Sequence, residues 1–173
     1  IFFIFIIGGS FNVLQETGAV EAGLGRLTKM GGRKSVLLVP IIMFAFALAG
    51  SCIGMCEETL VFIPIMISLA LALGYDSLTG LAIVFLGAMS GFAAAFMNPF
   101  NVGVAQGIAG LPIFSGMGLR IVMFTVTTLS GIIFVIIYAR KVKANPQLSP
   151  MYKFDSERSD TLDLQNLKEF GKR

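Results

Sequence analysis

Two short segments hold most of the residues that could do chemistry in an otherwise apolar chain. The first is Gly50-Ser51-Cys52-Ile53-Gly54-Met55-Cys56-Glu57-Glu58. Gly50 and Gly54 permit tight backbone, and unwinding there would expose carbonyls from one helix end and N–H groups from the next. Such ends are ion ligands, tolerated in a membrane only where protein or a watery cavity covers them. Ser51 adds a hydroxyl to that set. A carboxylate at membrane depth costs about 2.5–3.5 kcal/mol, so Glu57 or Glu58 would face a cavity, hold a proton or pair with a cation. Neighbouring helical side chains diverge by about 100°, which predicts different roles for the two acids and favours Glu57, nearer the tip. The plainer alternative is a shallow turn that both glutamates simply cap.

The second segment is Phe96-Met97-Asn98-Pro99-Phe100-Asn101-Val102-Gly103, with Gln106 beyond it. Pro99 lacks an N–H and disfavours a helical conformation at Asn98, so a helix is expected to break there. The amides of Asn98 and Asn101 would either repair the freed backbone groups or offer oxygens to Na⁺ and nitrogens to a substrate carboxylate. The competing reading is an ordinary proline kink. Two broken elements in succession are how many secondary carriers build a midplane site between inverted repeats, which gives the pair more weight than either member. Only one such pair occurs here, so a partner repeat is expected in adjoining sequence or in another subunit, including a second copy of the chain.

The rest of the composition narrows the chemistry. Of 173 residues, 13% are charged, about half the usual share, and 55% are apolar. Mean hydropathy is +0.85, which argues for a lipid bilayer as solvent. With no histidine, neither a His-based catalytic triad nor a His-ligated metal can form. Cys52 and Cys56 stand in an apolar run without a second pair, so they indicate neither a disulfide framework nor a four-cysteine zinc site. No metal or organic cofactor is expected beyond Na⁺ or H⁺ as a coupling ion. Basic residues cluster at 26–34 and from Arg140 onward, with only Arg120 between them. That pattern suits anionic headgroups and not nucleic acid.

The elements that must position these segments follow from apolar run length. Residues 1–14 read as the end of a span and 15–35 as an interfacial connector; the opening IFFIFIIGG has no Met and no basic leader, which makes the chain read as a fragment. The runs 36–49 and 59–73 are short against the roughly 20 residues a crossing needs, so 36–73 is expected to form a re-entrant helical hairpin with its tip at 50–58. Residues 78–110 read as an interrupted span and 119–139 as a full one. With the hairpin, both basic groups fall on one side, which assigns 140–173 as a cytoplasmic loop whose LDLQNLKEF segment at 162–170 could form a short amphipathic helix. Asp76 is expected to cap the helix that starts at 78. Gly80, Gly87, Ser90, Gly91 and Ala93 to Ala95 form a small-residue seam for close helix approach.

The combination of GMCEETLVFIPIMISLALALGYDSLTG at 54–80 and AAFMNPFNVGVAQGIAGLPIFSGMGLR at 94–120 resembles the YfcC-like branch of the C4-dicarboxylate anaerobic carrier family, within the wider ion-transporter superfamily. The resemblance implies an all-α polytopic membrane protein of the bacterial inner membrane, one half of an inverted-repeat transporter, with relatives about twice as long. It places Gly54, Glu57 and Glu58 at a hairpin tip and Asn98, Pro99 and Asn101 at an interrupted helix. The implied function is secondary active transport of an organic anion or amino acid, dicarboxylate-like or basic, coupled to Na⁺ or H⁺. The alternative is a non-transporting membrane fragment that acts only through packing with a partner. No nucleophile-base constellation supports an enzyme.

Overall fold

The computed structural model describes residues 35–161, and these are all-α. The expected span 1–14, nearly all of the connector, the first basic group and the amphipathic segment 162–170 lie outside the described residues. Helix α1 is Ser35–Cys52, α2 Thr59–Ala72, α3 Ser77–Ala93, α4 Val104–Ile108, α5 Met117–Ala144 and α6 Tyr152–Thr161. A π-helical turn, Pro99–Gly103, precedes α4, and a 3₁₀ turn, Pro146–Leu148, precedes α6.

Helices α1 and α2 are apolar all round, so no polar face orients them toward water. Each keeps an internal proline, Pro40 and Pro64, and the Ser68 hydroxyl donates to the Pro64 carbonyl at 3.0 Å. Their ends follow from local chemistry. Gly54 at φ +83° lets the chain leave α1, and the Ala49 carbonyl collects the N–H groups of Ile53, Gly54 and Met55. Helix α2 stops in a Schellman motif: Gly74 is left-handed, its N–H donates to Leu71 O at 3.0 Å, and the Tyr75 N–H donates to Ala70 O at 2.9 Å. Asp76 then caps α3 as expected, accepting from Thr79 N at 2.9 Å.

Among the described residues, α5 is the one helix long and apolar enough to cross a membrane; α1, α2 and α3 are shorter apolar helices. Its 28 residues span about 42 Å. Phe124, Thr128, Ile132, Val135, Ala139 and Val142 make its buried stripe, while Val122, Val126, Leu129, Ile133 and Ile137 are exposed. An exposed face as apolar as the buried one is the reverse of a soluble amphipathic helix and suits lipid. The helix runs beyond the expected limits of 119–139 at both ends. Lys141 and Lys143 sit in its last turn, where cations favour the negative end of the helix dipole.

The described residues fall into two compact units. One comprises Val61–Leu81 and the chain from Ala139, together with Val36; the other comprises Leu37–Leu60 and Ala82–Tyr138. In the first, the segment after α5 is tied down. The Ser149 hydroxyl donates to the buried Asp76 at 2.6 Å, Ser77 N donates to Asp155 at 2.9 Å, and the Lys143 ammonium reaches Leu73 O at 3.0 Å and lies 4.5 Å above the Tyr75 ring. Residues 140–161, the described part of the segment expected as a loop or linker, are largely helical, and these bonds tie them to the start of α3. In the second unit, the seam is as tight as its small residues allow: a Cβ on Gly91 would lie 1.9 Å from Ala47 O, and one on Gly50 2.4 Å from Ala88 O.

Candidate functional site

The second unit brings the two broken segments together, and it does so by pairing their orphaned backbone groups. The last carbonyls of a helix lack intrahelical partners. At the end of α1 these are Gly50 O and Ser51 O. After α3 ends at Ala93 the chain runs non-helically to Asn98, and beyond Ala94, whose N–H still reaches Ser90 O, its N–H groups lack helical partners too. The Met97 N–H donates to Ser51 O at 3.3 Å, the Phe96 N–H donates to Ser51 Oγ at 3.3 Å, and Asn98 Nδ2 donates to Gly50 O at 3.2 Å. Ser51 and Asn98 are both fully buried.

The interruption differs from expectation in position. It opens at Ala94, and Asn98-Pro99 marks the start of the next element. Asn98 is extended, its Oδ1 accepts from Phe100 N at 2.8 Å and Asn101 N at 3.4 Å, and Pro99 follows at the first helical position. Asn98 O accepts from both Val102 N at 3.0 Å and Gly103 N at 3.1 Å, which widens the first turn into a π turn. Asn101 Nδ2 donates to Phe92 O at 2.7 Å, and its Oδ1 accepts from Val102 N. Of the two roles open to these amides, backbone repair is the one they perform in this conformation.

The structure therefore gathers Ser51, Gly54, Asn98, Pro99 and Asn101 into one cluster. Gly54 belongs there for steric reasons as well, because a Cβ on it would lie 2.6 Å from Asn98 Oδ1 and from the Phe100 ring. Glu57 and Glu58 stand apart: among the described residues no hydrogen bond joins either to Asn98 or Asn101. Glu58 is half-buried and accepts from Cys56 N at 3.1 Å, closing the tip turn with Thr59, whose hydroxyl donates to Cys56 O. Glu57 is exposed. Both lie in the turn before α2, not on a helix, and their environments differ. Among the described residues no three His, Cys, Asp or Glu side chains gather as metal ligands.

One functional-looking residue carried more structure than its sequence context suggested. Gln106 is buried, and its amide holds the loop after α4 by accepting from Phe114 N and donating to Ser115 O at 2.9 Å and Ser115 Oγ at 3.1 Å. Phe114 has φ 62°, a left-handed conformation costly for a bulky residue, and these bonds hold it there. The available signal was a lone amide inside the apolar run VAQGIAG.

Comparison with known proteins supplies what geometry alone does not. The family profile described as C4-dicarboxylate anaerobic carrier matches residues 1–171. A protein of Escherichia coli (strain K12), provisionally named as a basic amino acid antiporter, YfcC, is 42% identical over 155 residues, which cover 90% of this chain and 31% of the relative. An uncharacterized protein of Haemophilus influenzae (strain ATCC 51907 / DSM 11121 / KW20 / Rd) is 34% identical over 150 residues, 87% of this chain and 30% of its own length. The chain thus spans about a third of the curated relatives it matches, where the resemblance implied about half. No solved structure matches.

Proposed function

The chain belongs to the C4-dicarboxylate anaerobic carrier family, and on that footing we propose that it forms part of a secondary active transporter for an organic carboxylate or amino acid, coupled to Na⁺ or H⁺. The family is one of carriers, not of catalysts. The observation that carries the proposal is the junction of α1's end with the break after α3, where Ser51 and Asn98 join two discontinuous elements through Phe96, Met97 and Gly50. Discontinuous helices of this kind form solute and ion sites in carriers. In this reading 36–73 is a re-entrant hairpin, 78–110 an interrupted span and 119–139 the core of a full span. The second repeat comes from adjoining sequence or from a second copy. The protein resides in the bacterial inner membrane as a multi-pass protein, with 140–173 cytoplasmic.

Within the site, Na⁺ would bind near Asn98 and Asn101 through oxygens released when the junction loosens, and H⁺ would ride on Glu57 or Glu58. Glu57 is exposed and Glu58 already accepts a backbone bond, so Glu57 is the freer of the two to meet a solute or ion. Basic amino acid and dicarboxylate remain the two substrate classes. The test is uptake or exchange of radiolabelled arginine and succinate by reconstituted protein in liposomes, measured against imposed Na⁺ and pH gradients. Gradient-driven flux that Glu57→Gln abolishes or renders pH-insensitive is expected, with a smaller effect of Glu58→Gln. No gradient-dependent flux of either solute, from monodisperse protein, would refute the proposal.

A further inference from the structure

Arg120 is the sole cation between Lys34 and Arg140. It lies four residues into α5, half-buried, and forms no ion pair among the described residues. A guanidinium cannot discard its proton to escape an apolar setting, so it needs an anion or water. The acids of the same stretch are Glu57, Glu58 and Asp76. Asp76 is engaged with Thr79 and Ser149, and Glu58 with Cys56 N. Glu57 forms no ion pair with Arg120 either, so among the described residues no acid side chain serves as its fixed counter-ion.

What faces Arg120 instead is space. A half-open pocket of about 250 Å³ is lined by Arg120, Met123 and Thr127 of α5 and by Ala93, Ala94 and Ala95, where α3 ends and the break begins. Three successive alanines leave the room that larger side chains would occupy. They also bring irregular backbone to the cavity wall: Ala94 N still reaches Ser90 O at 3.2 Å, whereas the N–H of buried Ala95 donates to no acceptor among the described residues. A cationic fork beside irregular backbone, flanked by the exposed apolar side chain of Met123, makes a receptor for a small carboxylate, and the volume suits a metabolite smaller than a drug-sized ligand.

We propose that Arg120, with the backbone at Ala93 to Ala95, binds a carboxylate of the transported solute; this deepens the carrier reading and rests on it. A dicarboxylate and the α-carboxylate of an amino acid present the same group to Arg120, so the site accounts for either class. In membrane vesicles bearing the full chain, with Cys52 and Cys56 replaced by Ala and Thr127 by Cys, the rate of maleimide labelling reports access to the cavity. Succinate and arginine are expected to protect the thiol, while agmatine, which is arginine without its carboxylate, is not. Arg120→Gln should raise the half-protecting concentration roughly ten- to a hundredfold, the consequence of losing a charge-assisted pair. Arg120→Lys keeps the charge and loses the fork, so it should fall between the two and also tests the site should the Gln variant fail to accumulate. Protection by agmatine equal to that by arginine, protection unchanged in both Arg120 variants, or none by any solute would overturn the assignment. A labelling rate that changes only with anionic lipid content would do so too, assigning Arg120 to a headgroup. Flux measured on the same preparations separates the two claims: protection without gradient-driven flux removes the carrier reading and keeps the site, and flux without protection does the opposite.

Discussion

Replacing Gly91 by Ala should do more damage than any other single methyl added to the described helices. An ideal Cβ there would sit 1.9 Å from Ala47 O, 2.6 Å from Ala47 C and 2.7 Å from Ala47 Cα. All three are backbone atoms, so no rotamer change relieves the clash, and α1 and α3 must separate by about 1.4 Å or more to restore carbon–oxygen contact near 3.3 Å. Overpacking of this kind costs about 1–3 kcal/mol. The separation would also stretch the junction bonds at 3.2–3.3 Å, Asn98 to Gly50 and Phe96 and Met97 to Ser51, beyond useful length. Each is worth about 0.5–1.5 kcal/mol, so losing two or three brings the expected total to roughly 2–7 kcal/mol. The control is Gly131→Ala in α5, where a Cβ meets nothing within 4 Å and helix propensity alone should stabilise by up to about 1 kcal/mol. Thermal unfolding in detergent, followed by loss of the monodisperse peak, reads both. Gly91→Ala melting with the wild type would refute the close crossing of α1 and α3.

Asn98→Ala should cost about 2–4 kcal/mol, because it strands the Phe100 and Asn101 N–H groups and the Gly50 carbonyl, and Asn98→Asp should not rescue it, since the donor to Gly50 is still missing; the melting assay checks both. Thr128→Val should be neutral or stabilising by about 1 kcal/mol, as the buried Thr128 hydroxyl has no partner and valine keeps its shape, and a clear drop in melting temperature would show that the hydroxyl is in use. For topology, cysteines at Leu73 and Gln147 should share protection from an impermeant thiol reagent applied outside the cell, while one at the exposed Ile113 should react; opposite behaviour of 73 and 147 would sink the hairpin. Asp76→Ala should free the segment after α5, seen as faster proteolysis near 150–157, because it removes the acceptor for Ser149 and the cap of α3.

Sequence reasoning located the apolar helices and their punctuation because those depend on local chemistry. Gly54 and Gly74 end helices for the reason their positive φ demands, Asp76 caps α3 through a bond three residues away, and the small seam at Gly87 and Gly91 can be used only one way. The failures share a different cause. Ala93 to Ala95 are strong helix formers, so nothing local ends α3 there; the ending is favoured by Ser51, 45 residues earlier, which accepts the Phe96 N–H. Helix α5 continues past the apolar run 119–139 because Lys and Arg continue a helix readily, which apolar run length does not register. The docked tail depends on Asp76 meeting Ser149 across 73 residues, a pairing no window of sequence contains. For Asn98 and Asn101, chemistry identified the residues while leaving their role open, because an amide serves as ligand or as backbone repair with the same atoms.

That ambiguity resolves when the two breaks are taken as one device. A helix end in an apolar medium leaves donors or acceptors whose burial costs several kcal/mol apiece, and α1 alone or α3 alone would carry that cost. Set against each other, the carbonyls of Gly50 and Ser51 meet the N–H groups of Met97 and the amide of Asn98, so each break supplies what the other lacks. The polar groups so engaged have little capacity left for a solute while the junction stays closed. In the proposed carrier, ion binding at Asn98 or Asn101 would require the junction to loosen, which would couple ligand binding to movement. Asn98 thus links the two broken elements, and on the proposed reading the charged groups that would meet a solute while the junction is closed are, among the described residues, the exposed carboxylate of Glu57 and the guanidinium of Arg120.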